Sequence, residues 1–289
     1  MNIKKALYGL SIEKSIDVTN IIKKHGIPMI NVNVYFGDPY PNFEKKLIIY
    51  TYGKSIPTTI YDEYDGKLTL NENTLYNWNL SVLLTTIGRP CLQRMLDSLV
   101  NQLTENDYLY VIIDGPSYFD SAKKILHMTK FTEKWKCSVI IHEHPINVGF
   151  WGHELKNQYQ QNMKGDYIMY ADDDDIYETG AFKKIRSTIK QPDQLYIFQM
   201  YRPFFNKKII PEHDEISTGN IGSPCGVVAN RPHLLSRWEN HYDGDSQFWK
   251  ETSKKFEPHQ IHFIHKIIYH VIGEHGGHEL PYYQTHETF

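Results

Sequence analysis

The sequence predicts an α/β fold with a mostly parallel sheet flanked by helices, preceded by a small α+β unit. From Leu80 onward, short apolar runs alternate with stretches of helical periodicity, which is the pattern of a parallel sheet. Before residue 75, short β-branched and aromatic runs are instead punctuated by Gly and Pro. We therefore expect a small accessory α+β domain over residues 1–75 and a larger domain over residues 76–289.

Composition and charge exclude several classes of protein. The chain has 289 residues, of which 40% are hydrophobic and 22% charged, as in a soluble globular protein. Its net charge of −3 predicts no nucleic acid partner, because electrostatic binding to a phosphate backbone needs an excess of basic residues. We expect no transmembrane segment, since no run of about 18 apolar residues occurs. Cys91, Cys137 and Cys225 form no CxxC pair, which favours a reducing, cytoplasmic location.

The first 75 residues read as one helix among strands. Residues 17–24 predict a short helix, with Asp17 as N-cap and Gly26 just past its end. The runs at 29–36 and 47–52 are rich in β-branched and aromatic residues and predict strands. This part of the chain shows no recognisable chemistry.

The rest of the chain predicts strands and helices in alternation. The predicted strands cover 80–86, 108–113, 137–141 and 166–170, and the predicted helices roughly 92–103, 119–130, 152–163 and 180–190. Ligands in such sheets bind at the carboxyl ends of the strands. Thr85 and Thr86, Asp114, and the run from Asp172 to Asp175 all stand at predicted strand ends.

Four consecutive aspartates, Asp172–Asp175, follow an apolar strand directly. Two carboxylates about 4 Å apart repel by ~4 kcal/mol at an effective dielectric constant of about 20. A hard divalent cation relieves this, and Mg²⁺ sites commonly combine one or two carboxylates with substrate phosphates. The run therefore predicts a Mn²⁺ or Mg²⁺ site, with a solvated acidic loop as the alternative.

The pattern Asp-x-Asp-Asp after a strand, followed by Tyr-Glu-Thr-Gly-Ala, resembles the DXD motif of GT-A fold glycosyltransferases, especially the family 2-like group. The resemblance covers roughly residues 80–275 and implies a Rossmann-like GT-A domain. It implies that Asp174 contacts the metal that bridges the diphosphate of a nucleotide sugar. It further implies that Asp172 faces the ribose, or the same metal through water, and that Asp175 orients the site.

Three further segments resemble nucleotide-binding parts of the same family. Thr85–Pro90 resembles the first-strand loop, and Asp114 resembles the acid that hydrogen-bonds the base, which suits the N3–H of uracil or thymine. Asn147–Asn157 resembles the N-x-G…[R/K]-N segment, although Trp151-Gly152-His153 looks inserted and Lys156 replaces the more usual Arg. The resemblance thus places these residues at the nucleotide sugar: Thr85, Thr86, Arg89, Asp114, Asn147, Gly149, His153, Lys156, Asn157, Asp172 and Asp173.

The acceptor side should supply a base, because an inverting sugar transfer must remove a hydroxyl proton. Tyr242–Trp249 resembles the segment where inverting GT-A enzymes carry an acid at a helix start, which implies Asp245 as base and Asp243 as runner-up. An N-cap aspartate without chemistry is the alternative. Several GT-A families place a C-terminal His on the metal or diphosphate, and the resemblance makes His275 and His278 candidate ligands.

Aromatic residues of this half could stack on sugars or simply pack the core. Both interpretations are open for Trp151, and also for Trp238, Phe248, Trp249, Tyr282 and Tyr283.

The expected activity is a metal-dependent, inverting transfer of a hexosyl or pentosyl group. The donor would be a nucleotide diphosphate sugar, with UDP or TDP favoured, and the acceptor a hydroxyl of a glycan or other molecule. A sugar-nucleotide nucleotidyltransferase is one alternative, although Thr85–Pro90 lacks the Gly-rich basic loop that it needs. A non-catalytic protein that binds carbohydrate or sugar nucleotide is the other, and the intact carboxylate run argues against it.

Overall fold

The computed structural model describes residues 3–27, 31–51, 59–64, 66–70, 78–128, 135–203 and 208–272. The chain divides into two compact units. The smaller unit consists of Met1–Trp78 with Arg186–Lys190, and the larger unit of Asn79–Ile185 with Gln191–Phe289. Within the described residues, no helix is both long and apolar enough to cross a membrane.

The smaller unit is built on an antiparallel sheet that has five strands among the described residues, in the order β2-β1-β3-β4-β5. The strands are β1 Ile3–Gly9, β2 Ser15–Asp17, β3 Lys45–Thr51, β4 Thr59–Tyr64 and β5 Lys67–Leu70, and the helices are α1 Thr19–His25 and α2 Val32–Phe36. The buried core joins both kinds of element, since Tyr8 and Leu47 of the strands pack with Ile22 and Phe36 of the helices.

Two of the sequence predictions for this unit have different outcomes. The strand predicted at 47–52 is confirmed as β3, but the strand predicted at 29–36 is wrong, because Val32–Phe36 is a helix. An alternating strand would bury Val32, Val34 and Phe36 together. Instead Val34 is 81% exposed, while Val32 and Phe36 are buried one helical turn apart. Residues 28–30 lie outside the described residues.

The larger unit is built on a mixed sheet of nine strands among the described residues, ordered β10-β14-β11-β13-β9-β6-β7-β8, with β12 beside β11. The strands are β6 Leu80–Thr86, β7 Tyr108–Ile113, β8 Ser138–Glu143, β9 Tyr167–Asp172, β10 Ile176–Tyr177, β11 Leu195–Arg202, β12 Lys208–Ile210, β13 Gly226–Ala229 and β14 Ile261–His270. The helices are α3 Leu92–Leu99, α4 Phe119–Met128, α5 His153–Gln160, α6 Ala181–Thr188 and α7 Gly244–Ser253. The last three residues of α6 are counted with the smaller unit.

The predicted alternation of strands and helices from residue 80 to residue 190 is confirmed. β8, β7, β6 and β9 are consecutive parallel neighbours, and Thr85 of β6 lies opposite Asp172 of β9 and Ile112 of β7. The carboxyl ends of these strands therefore meet at one edge of the sheet. Thr85 and Thr86, Asp114, and Asp172–Asp175 all lie along that edge.

The other half of the sheet is mixed in direction. β13 is antiparallel to both of its neighbours, β9 and β11, and β14 runs parallel to β11. β10 and β12 add further antiparallel pairs. The predicted α/β fold class is thus confirmed, and the sheet is parallel on one side of β13 and mixed on the other.

Candidate active site at the carboxyl edge of the sheet

Asp173, the second residue of the carboxylate run, joins the end of β9 to the loop that follows β6. Its buried carboxylate accepts hydrogen bonds from the Thr86 hydroxyl and from the backbone N–H of Ile87 at 3.3 Å. It also pairs with the guanidinium of Arg89. The Thr86 hydroxyl in turn accepts the backbone N–H of Gly88 at 2.9 Å. Asp173 therefore positions the loop that carries the predicted nucleotide contacts.

Asp174 shares the Arg89 guanidinium but is less well neutralised. Arg89 Nη1 lies 3.3 Å from Asp174 Oδ2, and Arg94 donates to the Asp174 backbone carbonyl. Burial raises the pKa of Asp174 to about 6, against the pull of Arg89, and Asp173 and Asp172 add to the rise. A further positive charge beside Asp174 would therefore stabilise its ionised form.

Asp172 ends β9 and is the most open carboxylate of the run, with 35% of its side chain exposed. The ammonium of Lys156, which is completely buried, lies 3.2 Å from Asp172 Oδ1 and 3.4 Å from the Ser223 hydroxyl. The same ammonium lies 4.7 Å from the ring centroid of Trp238. Tyr269 of β14 accepts the backbone N–H of Asp172 at 3.1 Å. Asp172 is thus held from two neighbouring elements.

Asp175 connects the run to the end of β14. Its buried carboxylate accepts the backbone N–H of Ile272 at 2.7 Å. The chain beyond Ile272, which includes His275 and His278, lies outside the described residues. The assignment of those two histidines as metal ligands therefore stays a prediction.

The donor atoms of the carboxylate run suit a hard divalent cation. Within the described part of the chain, no three His, Cys, Asp or Glu side chains come together as a metal-binding group. Mg²⁺, however, is usually held by one or two carboxylates together with waters and substrate phosphates, rather than by a cage of protein ligands. Asp172, which is open, and Asp174, whose charge is poorly compensated, fit a partial site of that kind.

Asp114, at the end of β7, fastens the loop before α5. Its two carboxylate oxygens accept the backbone N–H groups of Val148 at 2.7 Å and Gly149 at 3.0 Å. Asn147 packs directly on Gly115, where an added Cβ would lie 2.0 Å from Asn147 Oδ1. Asp114 is buried, so its observed role is to hold this loop, and its contact with a base stays a prediction.

The segment Gly149–Gly152, which we call the left-handed segment, has a rare backbone conformation. Its four φ angles are 63°, 47°, 53° and 70°, although Phe150 and Trp151 are not glycines. A non-glycine residue held at such a φ costs the folded state about 1–3 kcal/mol. Gly152 lies so close to Thr85 that an added Cβ would be 2.6 Å from the threonine hydroxyl oxygen. The departure from the family pattern noted in the sequence thus coincides with unusual geometry.

His153 and Asn157, both predicted at the nucleotide sugar, make contacts within the protein. The buried His153 donates from Nδ1 to the Glu239 carbonyl at 2.6 Å, and burial together with Lys156 lowers the pKa of its imidazole to about 3. Asn157 holds the backbone of Trp238 at both ends, donating to its carbonyl at 2.9 Å and accepting its N–H at 2.8 Å. These two side chains position the segment that precedes α7.

Asp245 lies in the first turn of α7. Its half-buried carboxylate accepts the backbone N–H of Ser246 at 2.7 Å. Burial raises the pKa of Asp245 to about 6, while Lys156 lowers it and Asp172 raises it further. Asp243 is the N-cap residue, and within the described residues its side chain makes no capping hydrogen bond. The charge of Asp245 is thus linked to the carboxylate run through Lys156.

The large aromatic residues around α7 form part of the core. Trp238 stacks on Phe248 with ring centroids 3.9 Å apart, and Trp249 contacts both rings edge-on. All three are buried. Tyr282 and Tyr283 lie outside the described residues.

Three contributors to the site were not identified from the sequence. Arg94 reaches the Asp174 carbonyl from α3, Tyr269 contacts the backbone of Asp172 from β14, and Ser223 contacts Lys156. Arg94 lies in a predicted helix next to the apolar residues Met95 and Leu96, and this position was the only indication of its role that the sequence offered. Tyr269 gave none, because its role depends on the long-range pairing of the sheet.

The comparisons agree with this architecture. Residues 81–273 match the model of glycosyl transferase family 2. A mannosyltransferase, PcManGT from Pyrobaculum calidifontis in complex with GDP-Man and Mn²⁺, is similar in structure with a TM-score of 0.52 and 12% identity, over 70% of this chain and 59% of that chain. S. aureus TarS gives a TM-score of 0.50 and 16% identity, over 67% of this chain and 36% of that chain. No curated protein matches.

The structural likeness shows the fold alone, because the identities are low, and the matches span only 59% and 36% of the two proteins. The matched segment 81–273, in contrast, is far more than half of the 289 residues and contains the whole carboxylate run as well as Asp245. The chain belongs to glycosyltransferase family 2, and its larger unit has the GT-A fold.

Proposed function

We propose that the chain is a metal-dependent, inverting glycosyltransferase that moves a hexosyl or pentosyl group from a UDP- or TDP-linked sugar to a hydroxyl of a glycan or other acceptor. One observation carries the proposal. The buried ammonium of Lys156 lies 3.2 Å from Asp172, and its charge lowers the pKa of Asp245, which supports placing the donor and acceptor sides next to each other. The GDP-Man and Mn²⁺ in the mannosyltransferase structure support the class of donor and the metal.

On the donor side, Asp172 and Asp174 would hold the divalent cation, with His275 and His278 as further predicted ligands. When bound, such a cation neutralises charge on the leaving diphosphate. Arg89 and Asp173 keep the loop after β6 in place. Asp114 would accept the N3–H of uracil or thymine, which is why we favour UDP or TDP.

On the acceptor side, Asp245 would take the proton of the acceptor hydroxyl. With a pKa of about 6, raised by burial, its carboxylate is largely ionised at neutral pH and still basic enough to assist proton removal. The acceptor oxygen then forms a bond to the anomeric carbon as the bond to the diphosphate breaks, which inverts the configuration. Asp243 is the runner-up for this role.

The first experiment is calorimetric titration with UDP, TDP, GDP and CMP, each with and without Mn²⁺. We expect wild-type protein to bind UDP or TDP only when Mn²⁺ is present, and Asp174→Ala to lose this binding. Asp62→Ala, which removes a partly exposed carboxylate of the smaller unit, is the matched control and should bind as wild type does. Failure of every nucleotide under both conditions would overturn the transferase proposal.

The second experiment concerns the chemistry. Incubation with the donor that binds should release the nucleoside diphosphate, and NMR of the product should show the opposite anomeric configuration to the donor. Nucleotide binding without any turnover in the presence of acceptors would instead favour a non-catalytic sugar-nucleotide-binding protein.

A further inference from the structure

A row of aromatic rings extends from solvent to the buried lysine of the site. We call Tyr242, Trp151, His153 and Trp238 the aromatic row. Successive ring centroids are 6.1, 5.9 and 5.5 Å apart. Tyr242 is 74% exposed, Trp151 is half-buried, and the last two rings are buried, with Lys156 next to Trp238. The row thus joins an exposed ring to the interior of the candidate active site.

The row is held beside Asp245 by specific contacts. His153 packs on Gly244, the residue before Asp245, so closely that an added Cβ would lie 2.6 Å from His153 Cε1. His153 is also tied to the Glu239 carbonyl. Trp151 belongs to the left-handed segment, with φ of 53°. Such strain persists where the surrounding structure enforces it, and it is concentrated at functional sites.

The surroundings of the exposed end are polar. Glu239, Asn240 and His241 are exposed, and Asp243 is half-exposed on the other side of Tyr242. A pyranose ring presents a face of C–H groups that packs on an aromatic ring, and a rim of hydroxyls that needs polar partners. A lipid or apolar peptide would instead need a larger continuous apolar patch. The mixture of one aromatic pair with polar neighbours therefore suits a sugar.

We propose that Tyr242 and Trp151 form an acceptor subsite that stacks on the C–H face of a pyranose, so that the acceptor is a carbohydrate. This inference rests on the proposed function, because it takes Asp245 as the base that receives the acceptor proton. It adds the chemical class of the acceptor and the two residues that select it.

The test is saturation-transfer NMR with four simple sugars: methyl β-D-glucoside, methyl β-D-galactoside, methyl α-D-mannoside and methyl N-acetyl-β-D-glucosaminide. Each is titrated into wild-type protein alone, and again with UDP and Mg²⁺, which is diamagnetic. We expect at least one of them to bind in the millimolar range, with most saturation on the protons of one ring face.

Variants then assign the binding to the aromatic row. Tyr242→Ala should lower the affinity for the sugar about tenfold, equivalent to ~1.4 kcal/mol, and Trp151→Leu should also lower it. Tyr242→Phe keeps the ring and should stay within about twofold of wild type. Tyr64→Ala is the matched control, because Tyr64 of the smaller unit is 72% exposed, and it should not change binding.

Several results would overturn the proposal. The first is that none of the four sugars binds, and the second is that Tyr242→Ala binds the sugar as tightly as wild type does. The third is that octyl β-D-glucoside binds while methyl β-D-glucoside does not. The last result would assign the row to an alkyl chain. Failure of the proposed function is separate, because it appears as absent UDP binding in wild-type protein, whereas the sugar titration without nucleotide can still succeed.

Discussion

Lys156 is the residue that balances the charges of the candidate site. A buried ammonium is costly unless a partner offsets the loss of hydration. Here Asp172, Ser223 and the Trp238 ring surround it, and its charge in turn lowers the pKa of Asp245. The substitution of Lys for the family's more usual Arg is thus accommodated by contacts inside the protein.

Replacement of Lys156 by Met should therefore have two effects. Removing the buried ammonium leaves Asp172, which is 35% exposed, without its partner, and should lower the free energy of unfolding by about 1–2 kcal/mol, measured by chemical denaturation. Because Lys156 lowers the pKa of Asp245, its loss should raise that pKa and move the acidic limb of the pH–rate profile to higher pH. Lys250→Met, on the exposed side of α7, is the control. An unmoved limb would contradict the assigned role.

Asp245 gives a pH dependence of activity. The base must be ionised, and burial raises the pKa of Asp245 to about 6. The transfer rate should therefore fall about tenfold per pH unit below that value, and Asp245→Asn should reduce the rate by about 10²–10⁴-fold at pH 7.5. Asp243→Asn distinguishes the two candidates, because a loss confined to this variant would transfer the role to Asp243.

The same carboxylate should also limit stability. A carboxyl whose pKa is raised in the folded state is destabilising once ionised, so stability is lost as the pH rises from about 4, the unfolded value, to about 6. Asp245→Asn should consequently melt a few degrees higher than wild type at pH 7.5 and at the same temperature at pH 4. Thermal melts at both pH values test this, and equal melting at pH 7.5 would contradict it.

At the scale of elements, the left-handed segment forms a tight junction with the end of β6. Gly152 and Gly180 both have positive φ, 70° and 81°, but only Gly152 lies against another residue, Thr85. No described atom lies within 4 Å of the Cβ position at Gly180. Substitutions at the two glycines therefore separate the cost of the backbone conformation, which both share, from the cost of a steric clash, which only Gly152 would have.

Alanine at each of these glycines should show the difference. Gly180→Ala should lower the free energy of unfolding by about 1 kcal/mol, from the conformation alone. Gly152→Ala should lower it by about 2–4 kcal/mol, because the buried, β-branched Thr85 cannot move aside. Urea denaturation measures both. Equal effects would mean that the segment is free to shift away from β6.

Elements with a local signal were predictable from the sequence. β6 and β7 have the predicted bounds, because their apolar runs stop at Thr86 and before Asp114. The helix Val32–Phe36 was missed because β-branched composition was given more weight than the four-residue spacing of its buried side chains. β13 could not be placed, because its antiparallel pairing with β9 joins residues that are distant in sequence.

The candidate site was predictable in kind but not in detail. The motifs identified the residues at the strand ends, since the sequence of a strand and the loop after it are local. They did not distinguish Asp173, which holds Thr86 and Arg89, from Asp174, which is poorly compensated. That distinction depends on which carboxylate also accepts the Thr86 hydroxyl and the Ile87 N–H of the neighbouring strand's loop, since both pair with Arg89.

At the scale of the whole molecule, ligand binding should appear as added stability. A ligand at 100 times its dissociation constant stabilises the folded state by about 2.7 kcal/mol. UDP with Mn²⁺ should thus raise the melting temperature of wild-type protein by several degrees, and EDTA should reverse the rise. Asp174→Ala should show no metal-dependent rise.

Because the chain divides into two compact units, the melting measurement can also show which unit binds the ligand. If the units unfold in separate transitions, only the one that belongs to the larger unit should shift, because the candidate site lies within it. A shift that EDTA leaves unchanged would contradict the assignment of the metal to Asp172 and Asp174.

The place of β13 between β9 and β11 has a consequence for biosynthesis. The ribosome releases β6 to β9 well before Gly226–Ala229, so one edge of β9 has no pairing strand while the middle of the chain is being made. That edge carries Ile168 and Met169, which are fully buried in the finished sheet. Unpaired apolar edges readily pair with other chains and aggregate. Nascent chains that stop before Gly226 should therefore accumulate as insoluble material, and slow synthesis through this stretch should raise the demand for chaperones.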